Sequence, residues 1–280
     1  MEWRGRRGSG NIEDRRGMSV GRVGVGGVGV VAVVLIGMFF GVDLTPLLND
    51  PGAVSTQDDT PLTDADRAAG EFVSVTLADT EAVWSDIFQD QVGEDYREPT
   101  LVLFKNVTQS PCGGASGAAG PFYCPGDRKI YLDTAFFTTL DRRLGAGGDF
   151  AAAYVVAHEV AHHVQNELGI LGEVNQRRQQ ADAADSNALS VRIELQADCF
   201  SGIWARGASE NFGTLEEGDL EEAVNAARSI GDDTLQRSAG QRPMPHTFTH
   251  GTSEQRARWF VRGYESGDMA KCDTFGAARL

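Results

Sequence analysis

Apolar residues first settle into a helical rhythm after residue 62, at Phe72, Val73, Val75, Leu77, Val83, Trp84, Ile87 and Phe88. Spacings of three and four put them on one helix face. With Thr63-Asp64-Ala65-Asp66 as a start signal, they predict one long amphipathic helix or two shorter ones. Pro99 then precedes Leu101-Val102-Leu103-Phe104, an unbroken apolar run of strand length. Residues 106–128 collect Gly, Ser and Pro and include Cys112 and Cys124, which predicts a stapled loop. Ile130-Tyr131-Leu132 predicts a second strand, and Asp133 opens a turn into a helix around Phe136 and Phe137. After the glycine-rich break at 145–148, Ala152, Val155, Val156, Val160 and Val164 predict a helix over about 149–167, stopped by Gly169. A further long helix is expected over 176–206. Residues 214–217 carry a capping-box pattern for one ending near Gly231, and Ser253 caps a last helix bearing Trp259, Phe260 and Tyr264. There is no internal repeat. A mostly helical chain with a small sheet is an α+β domain, here residues 63–280.

A different pattern precedes that domain. Residues 23–42 contain no charge, long enough for a helix to cross a bilayer, although six of the twenty are glycine. Arg4, Arg6, Arg7, Arg15, Arg16 and Arg22 lie before this run, and Asp43 and Asp50 after it. The positive-inside rule then makes 1–22 a basic cytoplasmic N-terminus and 23–42 a single-pass transmembrane anchor of a bacterial cytoplasmic membrane. Everything from 43 onward falls on the extracytoplasmic side. A cleavable signal peptide is the rival reading, but no small-x-small site follows the run. Residues 43–62, rich in Asp, Pro, Thr and Gly, read as a linker.

Charge and cysteine content narrow the partners. The formal net charge of the 280 residues is −15, and residues 1–22 alone carry +3. So acidic a body argues against a nucleic-acid partner. Four cysteines in an exported domain suggest two disulfides. Cys112 and Cys124 bracket one loop and pair locally, which leaves Cys199 for Cys272. No CxxC spacing offers a thiolate zinc site.

The chemistry sits in His158-Glu159-Val160-Ala161-His162, on the helix expected over 149–167. Positions i and i+4 share a face, so two imidazoles can bind one Zn2+ while Glu159, beside the first, serves as general base. A catalytic zinc needs a third protein ligand and an open position. Glu194, in Glu194-Leu195-Gln196-Ala197-Asp198 on a later helix, is the leading candidate, ahead of Glu167 and Glu173. Asp198, one turn on, can accept the outer N–H of a ligand histidine. A developing oxyanion wants another donor. His250, in a loop before a helix start, is the candidate placed in the site, with His246, Tyr154 and Tyr131 as further possibilities; a structural role for His250, hydrogen-bonding within its turn, is the other reading. His163 faces about 100° away from His162 and is read as a non-ligand.

With these residues in view, the chain resembles the neutral zinc metallopeptidase family of bacterial membrane-associated proteins. The likeness starts at Trp3-Arg4-Gly5-Arg6-Arg7 and Asn11-Ile12-Glu13-Asp14-Arg15-Arg16. It continues through Gly120-Pro121-Phe122-Tyr123-Cys124-Pro125, the stretch from His158 to Gln165, and the stretch from Glu194 to Cys199. It closes with His250-Gly251-Thr252-Ser253-Glu254-Gln255-Arg256 and Cys272-Asp273-Thr274-Phe275. The resemblance implies a zincin-like fold, with His158 and His162 as zinc ligands and Glu159 as base. The Glu194/Asp198 spacing is similar to that of thermolysin-like enzymes. Val160-Ala161 stands where relatives often have an aromatic or glycine pair, at variable positions of the motif. The expectation is a zinc endopeptidase acting on extracytoplasmic peptides or proteins. The alternative is a catalytically silent, membrane-anchored envelope scaffold keeping the same fold.

Overall fold

The computed structural model describes residues 1–17, 61–116 and 120–280. Its elements are β1 (Ile12–Asp14), α1 (Asp64–Ile87), β2 (Thr100–Phe104), β3 (Val107–Ser110), β4 (Gly113–Ser116), β5 (Phe122–Cys124) and β6 (Lys129–Asp133). Then come α2 (Ala135–Arg142), α3 (Asp149–Glu167), α4 (Ile170–Gln180), α5 (Ala183–Phe212), α6 (Asp219–Ser229), α7 (Asp232–Ser238) and α8 (Ser253–Ser266). The α+β expectation holds: helices dominate beside one four-stranded sheet, ordered β1-β2-β6-β5, and a β3-β4 hairpin. β1, β2 and β6 run parallel, while β5 is antiparallel to β6.

Helix α3 is the axis of the core. From Phe150 to Ala161 every residue is buried, far more than a one-sided amphipathic helix requires. α1, α5 and α6 pack around it. Phe150 stacks on Trp204 of α5 at 5.7 Å, and Trp84 of α1 meets Phe200 edge-on at 5.5 Å. Each such buried indole is worth about 3–5 kcal/mol against alanine. Along β2 the side chains alternate between faces. Leu101 and Leu103 enter the main core, while Val102 and Phe104 join Tyr131, Cys124 and Phe122 on the opposite side.

The tightest joint is between α5 and α8. A Cβ at Gly263 would collide with the Cys199 carbonyl, and one at Gly202 with the Phe260 carbonyl. Both positions are glycine because the backbones touch. The Cys199–Cys272 disulfide ties the same region, and Cys112–Cys124 ties the β3-β4 turn to the end of β5, the two pairings that the cysteine spacing suggested.

Several elements differ from expectation. Residues 1–17 are not a tail set apart from the domain. β1 pairs with β2, Ile12 facing Leu101, and Trp3 packs edge-on against Phe72 of α1 at 5.4 Å. Three of the arginines counted as a topology signal form ion pairs within this body: Arg6 with Asp79, Arg15 with Glu13, and Arg16 with Asp14 at 2.6 Å. The amino group of Met1 lies 2.7 Å from Asp149 and 3.2 Å from Asp219. The apolar run 23–42 and almost all of the linker lie outside the described residues. Among the described residues no helix is long and apolar enough to cross a membrane.

The helix expected over 176–206 is two helices, because Asp182 caps a new start by accepting from Asp185 N at 2.9 Å. The capping box at 214–217 does not form. Asp219 accepts from Glu216 N instead, and α6 begins behind Gly218. The last helix is capped by Thr252 with Gln255, one residue before Ser253, whose hydroxyl bonds Asp233.

Candidate metal centre

α3 and α5 lie side by side, and their facing positions bring together His158, His162 and Glu194. One ligand atom from each falls within 4.8 Å of the others. His158 Nε2 lies 3.0 Å from Glu194 Oε2, and His162 Nε2 lies 3.6 Å from Oε1. Both rings therefore turn the same nitrogen inward, with their planes at 86°.

Their outer nitrogens are held separately. His162 Nδ1 is 2.9 Å from Gln165 Oε1, and Gln165 donates in turn to the Ile193 carbonyl and to Gln196. His158 Nδ1 lies 3.0 Å from Asp198 Oδ1, an ion-pair contact whose angle falls short of a good hydrogen bond. Two imidazoles with Nε2 converging on a carboxylate and Nδ1 engaged outside have the orientation of metal-ligating histidines. The set of two nitrogens and one carboxylate suits a divalent zinc-like cation and leaves a coordination position open. Fit is met on geometry and on donor chemistry alike.

Electrostatics agree with a site built for positive charge. Burial works against the charged form of His158, yet Asp198 and Glu194 outweigh it and raise the imidazole to about 9. Burial also opposes ionised Glu194, but His162, His250 and His158 hold its carboxyl well below the usual range. Glu159, 7% exposed on the same helix, is pushed upward by burial, with His162 and His158 pulling it back.

His250 comes from the loop between α7 and α8. Asp232, fully buried at the start of α7, organises that loop: its Oδ2 accepts from the backbone N–H groups of Thr249, His250 and Gly251 at 2.6–2.9 Å. Its Oδ1 lies 3.3 Å from His250 Nδ1. Gly251, at φ +90°, lets the loop close over Val191 and Leu195 of α5. The imidazole is only partly covered and is held above its ordinary value: burial lowers it, and Glu194 and Asp232 raise it.

The other sequence candidates go elsewhere. Tyr154 is wholly buried and its hydroxyl donates to Asp198 at 2.5 Å. Tyr131 donates to Asp127 and stacks on Phe122, across the sheet. His246 lies on the exposed turn Pro245–Thr247. His163 faces away to the Arg97 carbonyl at 2.6 Å and Tyr123. Glu167 pairs with Arg128, and exposed Glu173 with Arg177. Asp232 and Gln165 were missed as site residues. Gln165 sits three residues after His162, on the same helix face, which is the signal that could have found it. Nothing local distinguishes Asp232 from Asp233.

The sequence model of the family described as "Putative neutral zinc metallopeptidase" matches residues 1–275. YpfJ of Escherichia coli K12, an uncharacterized protein, is 46% identical over 286 residues, covering 99% of both chains. Mb2605 of Mycobacterium bovis, also uncharacterized, is 43% identical over 227 residues, covering 78% of this chain and 74% of its own. No solved structure matches the chain.

Proposed function

This chain belongs to the neutral zinc metallopeptidase family, and from that premise we propose that it is a zinc endopeptidase cleaving peptides or proteins outside the bacterial cytoplasm. The observation that carries the reading is the convergence of His158 Nε2, His162 Nε2 and Glu194, with Gln165 hydrogen-bonded to the outer nitrogen of His162 and Asp198 3.0 Å from that of His158. In this reading His158, His162 and Glu194 hold Zn2+. When bound, the ion supplies Lewis acidity to the scissile carbonyl and lowers the pKa of water.

The chain's own residues do the rest. Glu159, adjacent to His158, takes the proton from the attacking water and returns it to the leaving amine. A carboxyl whose pKa burial raises is suited to shuttling a proton in this way. His250, aimed by Asp232 and within the field of Glu194, donates to the oxyanion that forms on the carbonyl. The two disulfides support an oxidising compartment, and the apolar run 23–42 supports membrane attachment.

The test is zinc analysis together with casein cleavage. The wild-type chain should carry about one zinc, and o-phenanthroline should abolish cleavage. Glu159→Gln should keep the zinc and lose turnover. A zinc-loaded wild-type protein inert towards casein and a peptide library would instead identify the scaffold.

A further inference from the structure

Arg256 stands in the first turn of α8, 2% exposed, on an element that contributes no ligand to the metal centre. Its Nε donates to Asp198 Oδ2 at 2.9 Å and its Nη2 to Asp198 Oδ1 at 3.0 Å. Nη2 also reaches the Tyr154 hydroxyl at 3.1 Å, and Nη1 the Ile230 carbonyl at 3.3 Å. Tyr154 in turn donates to Asp198 Oδ1, the same oxygen that lies 3.0 Å from His158 Nδ1. The carboxylate is therefore gripped at both oxygens, with one oxygen presented to the ring.

Burying a guanidinium is costly, and a charge-neutral apolar core would be at least as stable. What a two-point planar contact gives, and a lysine cannot, is a fixed carboxylate plane. The scaffold around it is equally unyielding. α8 is pressed on α5 by the Gly202 and Gly263 approach, and Cys199, next to Asp198, is bridged to Cys272. Tyr154 sits one helical turn before His158 on α3, so the clamp joins all three helices behind the ligand ring.

We propose that Arg256 is a positioning residue of the metal centre. By fixing the plane of Asp198 it fixes the rotation of the His158 ring and so the direction of Nε2. This rests on the zinc reading above.

The experiment compares the full chain with Arg256→Gln, Arg256→Lys and Tyr154→Phe. The readouts are zinc affinity by chelator competition, the absorption spectrum of the Co2+-substituted protein, and the thermal midpoint of the metal-free form. Arg256→Gln should weaken zinc binding roughly 10–100-fold and alter the cobalt spectrum. Arg256→Lys, restoring charge without the planar grip, should recover only part of the affinity. Tyr154→Phe, which changes no charge and should fold, should move the cobalt bands the same way with a loss of a few-fold. A merely structural Arg256 would lower the metal-free midpoint and leave zinc affinity and cobalt spectrum as in wild type; that result overturns the proposal. Should Arg256→Gln fail to fold, an unperturbed spectrum and affinity in Tyr154→Phe overturn it instead. Wild-type protein that binds no zinc sinks the metallopeptidase reading itself, and this proposal with it.

Discussion

Asp232 divides its carboxylate between the backbone and side chain of one loop: Oδ2 collects the N–H groups of Thr249, His250 and Gly251, and Oδ1 lies 3.3 Å from His250 Nδ1. That division makes the loop rigid and sets the ring's rotation in the same stroke. His250→Ala should lower kcat about 100-fold or more, with zinc content unchanged, the scale set by loss of one oxyanion donor. Steady-state kinetics on a casein or peptide probe checks it; unchanged kcat would remove His250 from the mechanism. Asp232→Ala should cost about 1–3 kcal/mol of stability, since buried N–H groups lose their shared acceptor.

Glu194 and Gln165 both approach the histidines but from opposite sides, one at the converging nitrogens and one behind His162. Gln165→Ala should weaken zinc binding about 10–100-fold, as outer partners of ligands do. Glu194→Ala should weaken it further. Chelator competition ranks the two; equal affinity of Glu194→Ala and wild type would hand the third position to another carboxylate.

Gly263 is where α8 meets the backbone of α5. Gly263→Ala forces the helices apart and should cost about 1–3 kcal/mol or more. Gly172, in α4, has open space around it, and Gly172→Ala should be neutral or stabilising by about 0.5–1 kcal/mol. Thermal unfolding of the two variants separates crowding from any general effect of replacing a helical glycine.

Asp66 gives a pH prediction. At the third position of α1 it accepts from the Thr63 hydroxyl and N–H, with Lys105 at 3.2 Å, and these contacts bring its carboxyl down to about 2. A folded value below the unfolded one contributes stability at higher pH, lost as the pH falls from about 4 towards 2. Asp66→Asn should therefore unfold at a lower temperature than wild type at pH 7. The gap should narrow at pH 3. A difference independent of pH would mean that the carboxylate charge plays no part.

Much of the site can be read in order along the chain, because its parts are local. His158 and His162 share a helix, Glu194 and Asp198 share another, and the four-residue spacing that relates each pair is visible without a fold. The disulfide pairing was legible for a similar reason: twelve residues separate Cys112 from Cys124, and the remaining two had no other choice. What escaped depends on contacts between distant segments. β1 is three residues long, Ile-Glu-Asp, with no alternation of its own, and becomes a strand only because β2 offers an edge. Asp232 is indistinguishable from Asp233 until the loop at 249–251 folds over it. Tyr154 looked available as a donor, and only the arrival of Arg256 from α8 shows its hydroxyl to be spent on Asp198. The start of α6 lies later than expected because Asp219 accepts from Glu216 N, and both acids also pair with the distant amino group of Met1.

The seating of β1 also constrains the route of everything between it and α1. Arg16 donates to the Asp66 carbonyl, and Gly70 leaves room for its guanidinium, so the chain re-enters the domain beside the point where it departed. Both ends of the intervening stretch are thus moored to one body. While that mooring lasts, residues 1–17 and the domain from Leu62 onward lie on one side of any bilayer. Reporters fused at residue 1 and at residue 280 would then answer from the same compartment, and reporters answering from opposite sides would mean that β1 had left its place against β2.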